Sequence, residues 1–178
     1  TVSGRNGYQE IQDEEEQIDE ETARQLQNRL GTGNTGDGLE FDAVYYPYYA
    51  MLNEKEQHLY RQIYANAGAG YDAFAPVESV SPEQLKNIFS AVYNDHPELF
   101  WMDTAYACKY TGTGTCVEID LQFNRTMNNL DSAKAAFDEN AGYILEEAGK
   151  LPNYYEKEKY VHDALIEKIV YNASAEMN

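Results

Sequence analysis

The chain carries two cysteines, Cys108 and Cys116, and three histidines, His58, His96 and His162, the residue types that ordinarily supply a thiolate nucleophile and its general base. A cysteine–histidine–aspartate site would require one of the thiols to meet His162 and Asp163. The local patterns argue against it. Both cysteines flank a glycine-rich turn in strand-like sequence, with no helix amino terminus beside them to lower a thiol pKa. His162 and Asp163 are adjacent in a helical pattern, so their side chains diverge by about 100° and orient one another poorly. The expectation is therefore that no residue of this chain is catalytic. His162 and Asp163 read instead as structural. His162 lies at the edge of the apolar face formed with Val161 and Leu165, where its ring can pack and donate one hydrogen bond to a neighbouring segment.

The cysteines have a second use. They lie symmetrically about Gly112 in Cys108-Lys-Tyr-Thr-Gly-Thr-Gly-Thr-Cys116. If Thr111–Thr115 make the turn, the two would oppose each other across a hairpin, close enough for a bridge. A Cys108–Cys116 disulfide on the outside of the sheet is expected, and with it an oxidising location outside the cytoplasm. The alternative is a pair of reduced, small apolar residues on adjacent strands.

No metal or cofactor motif is visible. No two histidines have the i, i+4 spacing of a zinc helix, the acidic run lacks the glycine punctuation of a calcium loop, and Gly68-Ala-Gly70 is too short for a phosphate loop. Tyr45-Tyr46-Pro-Tyr48-Tyr49 has two readings. It is an aromatic platform for a glycan or peptide, or a segment that lays its rings on the core.

The elements that would position these residues follow from periodicity and caps. Asn53 with Glu56 begins a helix to about Ala67, whose apolar face is Leu59, Tyr60, Ile63, Tyr64 and Ala67. Ser81-Pro-Glu-Gln84 begins a second, with Leu85, Ile88, Phe89, Val92 and Tyr93 on one face and Asn94-Asp-His-Pro97 as its breaker. Trp101–Tyr110 and Thr115–Phe123 alternate as a hairpin, with Trp101 structural and Cys116 on the wetter face beside Glu118, Asp120 and Gln122. Helices from about Asn129 to Ala148 and from Tyr154 onward complete the chain. The fold class is α+β, four main helices around an antiparallel hairpin or small sheet, with a disordered acidic amino-terminal tail.

That tail is read from composition. Residues 1–38 combine the run Gln12–Glu21, in which like charges repel, with Gly31-Thr-Gly-Asn-Thr-Gly-Asp-Gly38, and are expected to form a flexible tether to a single domain at 39–178. With 13 basic against 31 acidic residues the net charge is −18, which disfavours nucleic acid and anionic lipid as partners. No apolar run reaches the roughly 20 residues that cross a bilayer. The polar start Thr1–Gly7 contains no signal peptide, and the expectation is a mature form from which a signal or anchor segment has been removed.

Three stretches resemble the amino-terminal region of exported bacterial transglutaminase-like proteins. They are Tyr48–Tyr64 with Leu52-Asn-Glu-Lys-Glu56, Tyr93-Asn-Asp-His-Pro-Glu-Leu-Phe-Trp101, and Lys157-Glu-Lys-Tyr-Val-His-Asp-Ala-Leu-Ile166. The last resembles the helix that opens the papain-like core of that superfamily, so that residues 153–178 would be its first part. What the resemblance implies is an exported or surface-anchored protein whose downstream core performs acyl transfer or hydrolysis on amides, with the reactive cysteine, histidine and aspartate all beyond this sequence. This chain would then be a non-catalytic accessory portion. Its partners would be that downstream core and cell-wall peptide or glycan.

Overall fold

The computed structural model describes residues 11–168, and the chain divides into two compact units, one ending at Met127 and the other beginning at Asn128. The first unit contains strand β1 (Gln12–Ile18), helices α1 (Glu20–Arg29), α2 (Pro47–Met51) and α3 (Glu54–Ala69), strand β2 (Ala73–Phe74), helix α4 (Pro82–Asp95) and strands β3 (Met102–Thr111) and β4 (Cys116–Phe123). The second contains α5 (Leu130–Gly149) and α6 (Tyr154–Lys168), reached through a short 3-10 turn at Arg125–Asn129. The class is α+β, with a four-stranded mixed sheet in the order β1-β3-β4-β2.

The two central helices start as their sequences dictate. Asn53 accepts hydrogen bonds from the backbone N–H groups of Lys55 and Glu56, and the Glu56 carboxylate accepts from Asn53 N at 3.0 Å, a complete capping box. Ser81 and Gln84 form the same box on α4, with Pro82 at the first position. Leu59, Ile63, Leu85, Ile88, Phe89 and Val92 are fully buried where these helices meet each other and the sheet. Trp101, just before β3, is buried and donates from Nε1 to the carbonyl of Ala67 at 2.9 Å, tying the strand entry to the end of α3.

The expected hairpin is present, but its turn is centred one residue later than Gly112. Thr111 N donates to Thr115 O at 3.0 Å, and Gly114 takes the left-handed conformation the reversal needs.

The stretch expected as a tether differs most from its composition. Residues 1–10 lie outside the described residues, but Gln12–Ile18 pairs in parallel with β3, from Gln12 opposite Ala105 to Ile18 opposite Thr111. Backbone pairing is indifferent to side-chain charge, and an edge strand is where charge is tolerated. Asp13 also meets Lys86 of α4 at 2.8 Å. Burial works against its charge, yet the Lys86 hydrogen bond and cation together hold the Asp13 carboxyl below its ordinary range. Helix α1 is capped by Asp19, which accepts from Thr22 N at 2.8 Å, and buries Ala23 and Leu26 as it packs on β3 and β4. A stripe too thin for an isolated helix is enough once a sheet lies under it.

The glycine-rich segment is likewise fixed. Gln62 and Asn66, both fully buried on α3, donate to the carbonyl of Thr32 at 2.8 and 3.1 Å, and Asn34 N donates to Asn66 Oδ1 at 2.7 Å. Ala75 N donates to Gly31 O at 3.0 Å. The glycines allow this close approach: a Cβ on Gly36, at φ 70°, would sit 2.4 Å from Arg61 O.

In the second unit, Ile144 and Ala148 are buried, and Asn153 caps α6 by accepting from Glu156 N at 3.0 Å. Phe137, Tyr143, Leu145, Tyr154, Tyr155, Leu165 and Ile166 are exposed, although the sequence reads Leu165 as an apolar-face position. A pair of helices encloses too little volume to bury them all. Ile169, Val170 and the rest of the expected final segment to Asn178 lie outside the described residues.

Gly38 shares a left-handed φ of 84° but its Cβ would meet nothing within 4 Å. Gly38→Ala should therefore cost about 1–2 kcal/mol in urea unfolding, the backbone strain alone, and Gly36→Ala visibly more, about 2–4 kcal/mol. Equal effects would show that the loop does not press on α3.

Candidate functional site

Asp95, the last residue of α4, organises the tyrosine-rich segment. Its buried carboxylate accepts from Tyr49 N at 2.8 Å, Tyr48 N at 3.3 Å and the Tyr60 hydroxyl at 2.9 Å. One carboxylate thus joins the end of α4, the start of α2 and the middle of α3. Burial, then the hydrogen bond to this carboxylate, push the Tyr60 phenol far above its ordinary range. Beside it, the ring of His96 lies between Tyr46 and Tyr64, with centroids 4.9 and 4.2 Å away, while Phe41 meets it edge-on at 5.0 Å. His96 Nδ1 is 2.6 Å from Glu98 Oε1, and Nε2 has no partner.

This arrangement divides the four tyrosines between the two readings. Tyr49 is buried, with its hydroxyl accepting from Arg61 at 2.8 Å, and Tyr46 packs on His96. Tyr45 and Tyr48 face outward, 75% and 46% exposed, with Val44 and Met51 at 79% and 82%. Two of the four rings lie at the surface and two pack on the core. Because α2 is held by its backbone at Asp95, these side chains are displayed from a fixed support.

The cysteines are not opposed. Cys108 pairs with Ile119, and Cys116 with Tyr110, across a register shift between Lys109 and Tyr110. Both are free thiols, buried rather than on the wetter face. The neighbouring Cys108 sulfur, then burial, then the charges nearby, push the Cys116 thiol well up, whereas Cys116 favours the thiolate at Cys108 against the same burial and the carboxylates of Glu15 and Asp13. The Tyr106 hydroxyl, buried and without a partner, senses both sulfurs and is itself shifted up, chiefly by burial.

None of the three imidazoles is hydrogen-bonded to a thiol; each meets a carboxylate. His58 is engaged by Glu78 at 2.8 Å and Asp37 at 3.3 Å, linking the glycine-rich loop to α3, and His96 is enclosed in its aromatic shell. His162 belongs to the other unit and is exposed. Instead of holding a neighbouring segment it reaches the adjacent Asp163, Nδ1 to Oδ1, at 3.1 Å. Adjacent helical side chains can meet this way at the surface because both are free to rotate towards each other. Among the described residues, no three His, Cys, Asp or Glu side chains converge as metal ligands, and no helix is long and apolar enough to cross a membrane.

Sequence reasoning missed Asp95, reading Asn94–Pro97 only as a helix breaker. The signal was available: the buried stripe 85, 88, 89, 92 continues at helical spacing to 95 and 96, so a carboxylate and an imidazole had to be buried and partnered. Against known proteins, the chain matches no family model and no curated protein.

The division of the tyrosines predicts opposite mutational costs. Tyr49→Ala should destabilise the fold by about 3–5 kcal/mol, whereas Tyr45→Ser and Tyr48→Ser should each change it by less than about 0.5 kcal/mol in urea unfolding. A large loss in either of the latter would return those rings to the core.

Proposed function

We propose that this chain is the non-catalytic amino-terminal accessory portion of an exported or surface-anchored transglutaminase-like protein. The observation that carries the reading is the state of the thiols: both are free, buried in the sheet, and neither is hydrogen-bonded to an imidazole. A transamidase thiol needs a base within hydrogen-bond reach and an open approach for the amide carbonyl. Neither cysteine has them. In this reading the thiolate that attacks the amide, and the histidine that protonates the leaving amine, belong to a core downstream, with α6 as its first helix. The succession α3, α4, β3–β4, α5, α6 is in keeping with the order of the resembling stretches, and the outward apolar residues Leu165 and Ile166 of α6 suit an element that packs against further chain.

A second reading is supported by a separate observation, the outward group Val44, Tyr45, Tyr48 and Met51. Such a surface suits a self-sufficient extracellular module that stacks tyrosine rings on a sugar or an extended peptide.

Reduced chain should show no amine incorporation into casein and no casein hydrolysis. Turnover that disappears in a Cys108→Ser, Cys116→Ser double variant would overturn the accessory reading. Saturable binding of muropeptides or cell-wall glycans, lost in Tyr45→Ser, Tyr48→Ser, would favour the second reading.

A further inference from the structure

Cys116 owes its position to a bulge. At the open side of the shift, Lys109 lies opposite Glu118. An unbroken ladder would continue with Tyr110 opposite Val117 and Thr111 opposite Cys116, turning Cys116 to the face away from Cys108. The extra residue on β4 instead sets Cys116 opposite Tyr110, on the face shared by Tyr106, Cys108 and Tyr110. Val117 and Cys116 are accordingly buried together. The bulge is the device that turns one thiol towards the other.

We propose that Cys108 and Cys116 are a reversible dithiol–disulfide couple, a redox modification site within the sheet that is closed by a small disulfide oxidant of the glutathione class. Cys108, on the same face as Cys116, attacks one sulfur of the oxidant as its thiolate, and the other sulfur leaves as a thiol that takes up the proton. Cys116 then displaces the second thiol from the mixed disulfide. Two protein thiols lose two hydrogens, and one oxidant molecule is reduced to two thiols. Two inert core thiols would gain nothing from an interrupted ladder, since small apolar residues pack as well in regular register.

Access sets the rate. Cys108 and Cys116 are 2% and 3% exposed, so an oxidant reaches them only when the sheet opens locally. Glu15 of the edge strand β1 stands opposite Cys108, and the Thr111–Thr115 turn adjoins Cys116, so opening at either part would uncover a sulfur.

The test equilibrates the full chain in glutathione buffers of graded ratio, quenches by alkylation under denaturing conditions, and reads thiols and intact mass. Reducing buffer should give two alkylated thiols. Oxidising buffer should give none, with the mass lower by two hydrogens and no lasting glutathione adduct. Oxidation should be at least about tenfold faster in sub-denaturing urea than in its absence. Two thiols surviving oxidising buffer in urea, stable glutathione adducts, or covalent dimers would overturn the pairing. Equal rates with and without urea would overturn the requirement for opening.

Discussion

A carboxylate withdrawn from water must be matched by donors, and Asp95 is matched by three: two backbone N–H groups of α2 and the phenol of Tyr60. The same atoms that satisfy its charge fix the angle between α3 and α4 and the path of the chain over residues 45–52. The shell of Phe41, Tyr46, Tyr49, Tyr64 and His96 forms around this point and excludes water, which strengthens each hydrogen bond inside it. The outward display of Tyr45 and Tyr48 is a consequence of that anchoring. They cannot fold back onto the core without pulling the backbone from Asp95.

Local chemistry was legible wherever a few neighbouring residues decide the outcome. The capping boxes at Asn53–Glu56 and Ser81–Gln84 set the starts of α3 and α4, and alternation from Val117 to Phe123 set β4. What composition hid was the work of distant partners. The acidic run is repulsive in isolation, but as an edge strand it gains a ladder with β3 and a cation at Lys86. The glycines at 33 and 36 look like freedom and act as clearance for Asn66 and Arg61. Likewise, symmetry about Gly112 suggested opposed cysteines, but the chain reverses about Thr113, which sets Cys108 opposite Ile119 and Cys116 opposite Tyr110.

The site followed the same rule. Periodicity placed His162 and Asp163 on a helix and the cysteines on a hairpin, as they are found. The depth of the thiols, and their contact through a bulge, depended on register that no spacing count contains. The sheet holds both cysteines of the chain buried on one face, Cys108 opposite Ile119 and Cys116 opposite Tyr110. The exposed aromatic side chains Tyr45 and Tyr48 are carried on the segment held by Asp95, and both sulfurs lie in the interior.

The anchoring by Asp95 is most directly tested by a double-mutant cycle in urea unfolding between Asp95→Asn and Tyr60→Phe. The amide keeps the shape but loses the charge, and its N–H groups face backbone donors. Asp95→Asn should cost about 2–4 kcal/mol, with a coupling to Tyr60→Phe of about 1–2 kcal/mol. A loss below about 0.5 kcal/mol with additive single effects would contradict the account, because the segment at 45–52 would then be held by its rings alone.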